Sequence, residues 1–157
     1  MNDSKPVKAL AVAPNKKKSG YPEPFASRVG TRVRRRLGDA FGLVNFGVNI
    51  TELAPGAMSA LKHAHAVQDE FVYLLAGRAT LIIGDAEHEM LPGDCVGFRA
   101  GTGLAHHLVN RSGEPASFLE VGDRSVGDVA TYPDDDLQAS YVEGVGWKFF
   151  HRDGNAY

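Results

Sequence analysis

From Val44 onward, short apolar runs alternate with turns rich in glycine and proline, and this spacing limits the possible fold more than any other feature. In the first run, every second residue from Val44 to Ile50 is apolar, which places these side chains on one face of a strand. Further runs occupy residues 70–75, 79–83, 87–91, 95–98, 106–109 and 116–121. Short strands at intervals of roughly 8–12 residues are typical of an antiparallel sandwich or barrel. The sequence therefore predicts an all-β domain.

The length of 157 residues is that of one domain. Residues 1–40 combine a lysine run with several prolines and no sustained periodicity, so we expect an N-terminal extension that is extended or partly disordered. Residues 41–125 form the predicted barrel, whose folded core begins near Val44. Residues 126–157 form a predicted C-terminal extension, with a solvated turn at residues 134–136 and an apolar patch at 145–150 that is compatible with one more strand.

Charge and composition exclude several classes of partner. The formal net charge is -2, from 17 basic and 19 acidic side chains, so the chain lacks the positive field that concentrates nucleic acid. No segment approaches the roughly 20 apolar residues that cross a bilayer, and no signal peptide is apparent. Cys95 is the single cysteine and cannot form an internal disulfide. We therefore expect a cytoplasmic protein with no nucleic-acid or membrane partner.

Histidines and one glutamate provide a candidate metal-binding set. His63 and His65 are one residue apart, so on an extended chain both imidazoles point to the same side. Glu70 begins the next strand, and a glycine-rich turn precedes the adjacent pair His106 and His107. Only one of this pair can share the face of the other ligands, and strand parity alone leaves the choice open. Three imidazoles and a carboxylate suit Fe, Mn, Co, Ni, Cu or Zn.

The stretch from Gly56 to Gly77 resembles the first cupin motif, in which glycine precedes His-x-His, glutamate and a second glycine. Gly103, His106 and Asn110 resemble the end of the second motif. This resemblance implies a double-stranded β-helix, the cupin jelly-roll barrel, with N- and C-terminal extensions. It also implies that one divalent transition metal is bound by four ligands, namely His63, His65, Glu70 and His106.

The sequence departs from the motifs in its loops. Six residues separate Gly56 from His63, Gly101 stands where the second motif usually has proline, and the turn between Gly93 and Gly101 is two residues longer than usual. These differences affect the shape of the pocket more than the identity of the ligands.

The sequence indicates the function of the protein only in outline. The wider chain is similar to bacterial single-domain cupins, some of them labelled sugar phosphate isomerases, which implies a metal-dependent isomerase acting on a small oxygen-rich molecule. An Fe-dependent dioxygenase and a non-catalytic small-molecule binding or sensing module are the alternatives, so the sequence leaves open whether the protein is an enzyme. No catalytic residue is assigned. Tyr73, Arg99 and Glu120 are candidates for substrate contact or acid–base work because they lie on or beside barrel strands.

Several other polar residues have ordinary explanations. The arginines at positions 32 and 34–36 could present a phosphate-binding surface, but we favour a solvated edge strand. Cys95 lies in an apolar run and is expected to be buried and inert. His88, His107 and His151 are interpreted as surface or hydrogen-bonded residues.

Exposed apolar side chains predict self-association. Trp147 and Phe149 in the C-terminal extension, together with Phe71 and Tyr73 on the alternate strand face, favour a homodimer.

Overall fold

The computed structural model describes residues 5–15 and 19–157, and short strands dominate this part of the chain. The strands are β1 (Arg32–Arg36), β2 (Phe46–Leu53), β3 (Ala64–His65), β4 (Glu70–Ala76), β5 (Ala79–Ile83), β6 (Ala86–Met90), β7 (Cys95–Phe98), β8 (His106–Val109), β9 (Ala116–Asp123), β10 (Val129–Tyr132), β11 (Leu137–Val142) and β12 (Gly146–Phe150). Two four-residue helices, α1 (Phe25–Arg28) and α2 (Leu37–Ala40), and a 3-10 turn at Ala9–Ala11 complete the elements of the described residues.

Two antiparallel sheets enclose the main core. A five-stranded sheet has the order β1-β2-β9-β4-β7, and a three-stranded sheet has the order β6-β5-β8. Side chains from both sheets pack between them, namely Leu53, Val72, Leu74, Leu81, Met90, Phe98, Leu108 and Phe118, with Ala57 and Ala79. Because strands alternate inward apolar and outward residues, these sheets can share one dry interior. The predicted all-β barrel is confirmed.

A second core connects the two terminal segments. The sheet β12-β11-β10-β3 is continuous with the barrel only through the two-residue strand β3. Its buried side chains pack against Phe25 of α1, and they include Leu61, Tyr132 and Leu137. Trp147 and Phe149 pack against this core, so the expectation that they are exposed is wrong for these two residues. The solvated turn predicted at residues 134–136 is found between β10 and β11.

The sheet begins earlier than the sequence indicates. Strand β1 pairs along its whole length with β2, although we expected the folded core to begin near Val44. Strand β1 is the edge strand that we favoured for the arginines at positions 32 and 34–36, but its four arginines give no apolar period to mark the start of the folded core. The lysines at positions 16–18, predicted to be extended or partly disordered, lie outside the described residues. The proposed division of the chain at residues 41 and 126 stays a prediction.

Cys95 does not have the environment that we expected. It is exposed rather than buried, because it lies directly opposite Tyr73 on the outer face of the five-stranded sheet. The apolar run around it belongs to an edge strand, and the alternation of that strand turns Cys95 outward. Among the described residues, no helix has the length and apolar character needed to traverse a membrane.

Candidate metal centre

Backbone pairing brings distant segments together at one end of the barrel. The His63 N–H donates to the His106 carbonyl at 3.1 Å, and the His106 N–H donates to the His63 carbonyl at 2.8 Å. Strand β4 begins with Glu70, whose side chain points to the barrel interior, two residues before the buried Val72. Strand β3 carries His65 beside β10. The fold therefore holds all four predicted ligands near a single point.

Three imidazole nitrogens surround one carboxylate oxygen. The Nε2 atoms of His63 and His65 each lie 3.5 Å from Oε2 of Glu70, and Nε2 of His106 lies 3.0 Å from the same oxygen. Ligand atoms of His63, Glu70 and His106 all lie within 4.8 Å of one another, which is close enough for these three residues to share an ion. His65 approaches the same carboxylate oxygen, and its assignment as the fourth ligand stays a prediction.

The second nitrogen of each ring contacts an oxygen atom. Nδ1 of His63 lies 2.8 Å from the Leu61 carbonyl, and Nδ1 of His106 lies 3.4 Å from the Leu104 carbonyl. Nδ1 of His65 lies 2.5 Å from the Asp128 carboxylate. Carbonyl and carboxylate oxygens only accept, so each Nδ1 carries the proton and donates. A ring that loses its second proton therefore directs an Nε2 lone pair toward the centre.

Asp128 is a site residue that the sequence does not reveal. Its side chain is fully buried and also accepts the backbone N–H groups of Val67 at 2.7 Å and Gln68 at 3.3 Å. These bonds fix the loop that follows His65 as well as the His65 ring. No local pattern marks Asp128, because it lies in a polar segment far from the histidines along the chain.

Aromatic rings hold the imidazoles in place. The His106 ring stacks on Phe98 with centroids 3.5 Å apart and an interplanar angle of 4°. His63 stacks on Tyr132 of the second core, with centroids 5.8 Å apart. Trp147 lies beside the His65 ring at 5.6 Å. The centre therefore lies where the two cores meet, and each core restricts the orientation of the ligands.

Electrostatics keep the carboxylate charged. Burial raises the pKa of Glu70, but hydrogen bonds to His106 and His63 outweigh it and hold that pKa well below its usual value. Burial lowers the pKa of His106, which favours the neutral ring. Burial also lowers the pKa of His63, but the contact with Glu70 outweighs burial and leaves this pKa above its usual value. An ionised carboxylate next to imidazole nitrogens is the donor set that a divalent cation requires.

An unsatisfied nitrogen tests whether the site fits a metal. Nε2 of His65 is buried and has no hydrogen-bond partner among the described residues. Because Nδ1 of the same ring donates to Asp128, this Nε2 presents a lone pair toward a carboxylate oxygen. Such an arrangement is repulsive unless a metal cation or a proton lies between the two atoms. The residues present therefore fit a divalent transition metal held by nitrogen and oxygen ligands.

Strand parity selects between the adjacent histidines. His106 is buried with Leu108 on the inner face, whereas Nδ1 of His107 contacts the Ala60 carbonyl at 3.0 Å on the other face. His88 is exposed on β6, and His151 contacts Asp136 near the surface.

The three candidates for substrate contact separate in the structure. Tyr73 faces outward and is far from the ligands on the opposite side of the sheet. Arg99 is exposed at the edge of a small crevice lined by His65, Phe98 and His106. Glu120 points inward on β9, on the same sheet face as Glu70.

Comparison with known proteins supports the fold. The family described as "Cupin domain" matches residues 49–122. A sugar phosphate isomerase from a cupin superfamily, from Silicibacter pomeroyi, is 38% identical, with 98% of this chain and 96% of that chain covered and a TM-score of 0.90. A structure from Acidithiobacillus ferrooxidans, provisionally described as a sugar phosphate isomerase, is 31% identical. The match covers 81% of this chain and 80% of that chain, with a TM-score of 0.72.

A more distant structure shares the fold alone. The polyketide cyclase RemF from Streptomyces resistomycificus is 22% identical, covers 76% of this chain and 78% of its own, and has a TM-score of 0.62. No protein of curated function matches the sequence.

Proposed function

This chain belongs to the cupin superfamily, and on that premise we propose that it is a metal-dependent enzyme that isomerises a small, oxygen-rich metabolite, namely a sugar or a sugar phosphate. The observation that carries the proposal is the convergence of three Nε2 atoms on one Glu70 oxygen, with the His65 nitrogen unsatisfied. The activity given for the two most similar structures named above supports the choice of isomerisation.

Access to the centre favours catalysis over a purely structural ion. The histidine side chains are at most 11% exposed, whereas Glu70 is 33% exposed. Small molecules can therefore approach from the side of the carboxylate. A catalytic ion keeps such an open side, while a structural ion has a closed protein shell.

The chain's own residues set the chemistry available there. A divalent ion, when bound, supplies Lewis acidity that polarises a substrate carbonyl. His63, His65, Glu70 and His106 hold it, and Asp128 keeps the His65 ring in the tautomer that binds. The aromatic neighbours Phe98 and Tyr132 exclude water from the inner side of the centre. Isomerisation of a carbonyl compound involves no net oxidation, so these groups need no redox partner.

The first test is metal content. We expect elemental analysis of untagged protein, purified without chelators, to give close to one equivalent of a transition metal. His65→Ala should lose most of it and stay folded, because the ring lies at the edge of two packed cores. His88→Ala, an exposed histidine away from the centre, is the matched control. An undiminished metal content in His65→Ala would count against the assignment.

The second test is the reaction. Metal-loaded protein incubated with a panel of aldose and ketose phosphates in D2O should convert one member and incorporate deuterium at the carbon next to the carbonyl, as followed by NMR. The His65→Ala protein should do neither. Conversion that persists after complete metal removal would contradict a metal-dependent mechanism.

A further inference from the structure

We propose that Arg34, held by Glu120 on the barrel wall beside the metal centre, binds an anionic group of the substrate, either a phosphate or a carboxylate. The inference rests on the proposed function, because it names the class of molecule that this centre would take. It changes the interpretation of the arginine run, which the sequence analysis treated as a solvated edge strand. Adjacent arginines of β1 point in opposite directions, and Arg34 points into the barrel.

The Arg34 guanidinium is oriented by its neighbours and keeps one free edge. Its Nε lies 3.2 Å from Oε1 of Glu120 and donates to the Thr51 hydroxyl at 3.3 Å. Its Nη2 lies 3.4 Å from Oε2 of Glu120. Within residues 5–15 and 19–157, Nη1 has no hydrogen-bond partner, so it can donate to a ligand. A guanidinium fixed in this way matches the oxygens of phosphate or carboxylate.

Strand register places this group next to the metal centre. Glu70 of β4 is opposite Gly122 of β9, and Val72 is opposite Glu120, so the two glutamates are diagonal neighbours on the inner face. Gly122 is also opposite Gly47 of β2. An added Cβ at Gly122 would lie 3.9 Å from Glu70. Gly122 therefore adds no side chain beside Glu70, whereas the Arg124 guanidinium lies 3.5 Å from an added Cβ at Gly47. Arg34 contacts the glutamate that lies next along this wall.

Solvent reaches both ends of this wall. Arg34 is 33% exposed and Glu120 is 22% exposed, although both side chains point to the interior of the barrel. Glu70 has the same exposed fraction as Arg34. The guanidinium and the predicted metal ligand Glu70 are therefore both accessible from solvent, as binding of one molecule to both requires.

Two guanidinium groups lie close together on this side of the barrel. Arg32 also points inward, lies over the Tyr21 ring and donates to the Ser59 carbonyl. Burial, and then the neighbouring Arg34 charge, lower the pKa of Arg32, as expected for two cations held close together. Glu120 pairs with Arg34, and Glu70 lies diagonally beyond it on the same face. An incoming anion would pair with the guanidinium edge that Glu120 leaves free, in a partly desolvated site.

The proposal is tested by titrating inorganic phosphate and, in a parallel arm, acetate into the full-length protein by calorimetry. Each titration is made on metal-loaded and on chelator-treated protein. We expect wild type to bind at least one of the two anions in both states, and the tighter one identifies phosphate or carboxylate as the substrate group. Arg34→Gln should weaken that binding by about tenfold or more, because a charge-assisted hydrogen bond is lost. Arg35→Gln, the same change one residue along on the outer face, is the matched control.

A second variant separates binding from a folding defect. Glu120→Gln removes the competing carboxylate and keeps the side-chain shape, so it should tighten anion binding while Arg34→Gln weakens it. Metal content measured on the same samples tests the proposed function separately, because Arg34 is not a ligand. Equal affinity in Arg34→Gln and wild type, or the absence of binding of both anions to wild type, would overturn the proposal.

Discussion

Asp128 determines which nitrogen of His65 faces the metal centre. Its carboxylate accepts the Nδ1 proton, so the Nε2 lone pair is directed toward Glu70 before any ion arrives. Asp128 lies outside the matched family region, so it is a feature that the barrel motifs do not supply.

We expect Asp128→Asn to weaken metal binding by about 10–100-fold. The asparagine oxygen can still accept the backbone N–H groups of Val67 and Gln68, so the loop should keep its shape. The substitution removes only the negative charge of the carboxylate beside the His65 ring. Competition with a chelating indicator measures the affinity, and circular dichroism checks the fold. Asp94→Asn, in an exposed turn, is the control. A folded Asp128→Asn protein with wild-type affinity would rule out this role.

Single residues differ in how far the sequence predicts them. His106 could be placed on the inner face because its motif and its strand parity agree, and the structure shows it there. Asp128 could not be found, since its contact with His65 depends on the pairing of β10 with β3 and on no local pattern. Cys95 was placed incorrectly because an apolar run does not distinguish an edge strand from a central one.

At the level of elements, the turn between β4 and β5 depends on one glycine. Gly77 has φ of 76°, and an added Cβ would lie 2.3 Å from the Pro115 carbonyl oxygen. Gly56, the other glycine of the first motif, has φ of 79° but no heavy atom within 4 Å of an added Cβ. The two positions share backbone strain and differ in packing.

We expect Gly77→Ala to destabilise the fold much more than Gly56→Ala. Strain from positive φ costs about 1 kcal/mol at either site, and at Gly77 the clash with backbone raises the loss to roughly 3 kcal/mol or more. Urea unfolding of both variants measures the difference. Equal losses of unfolding free energy in the two variants would show that the Pro115 segment moves aside without cost.

Element prediction succeeded where apolar periodicity was present. The strands from β4 to β9 were placed within a few residues, because each is a short run bounded by turn signals. Strand β1 was favoured as an edge strand but was left outside the folded core, because its arginines give no apolar period, and β3 was missed because it has two residues. Strands β10 and β11 lie in a polar segment and are held by packing against α1, which no local signal predicts.

At the scale of the whole molecule, one sheet face remains apolar and open to solvent. Phe71 and Tyr73 are each 38% exposed on the outer face of the five-stranded sheet, and Phe46 is 42% exposed. Val121 and Leu119 lie opposite Phe71 and Tyr73 on the neighbouring strand, so the apolar surface is continuous. Surfaces of this kind commonly mark a self-association interface.

We expect the protein to sediment as a homodimer, with about twice the 16.9 kDa mass of one chain. Tyr73→Glu should shift it to a monomer at micromolar concentration, because a charge would be buried in the interface. Val145→Glu, at an exposed apolar residue in the C-terminal sheet, should leave the mass unchanged. A monomeric wild-type protein would contradict this interpretation of the outer face.

The location of the ligands between two cores has a practical consequence for protein engineering. The barrel alone would bring all four predicted ligands. The groups that orient His63 and His65 come from outside it, namely Tyr132 of β10, Trp147 of β12 and Asp128, which precedes β10. A designer who transplants residues 49–122 into another scaffold would obtain the donor atoms without their supports. Grafts that retain the trailing hairpin should load metal, and minimal grafts should fail to do so.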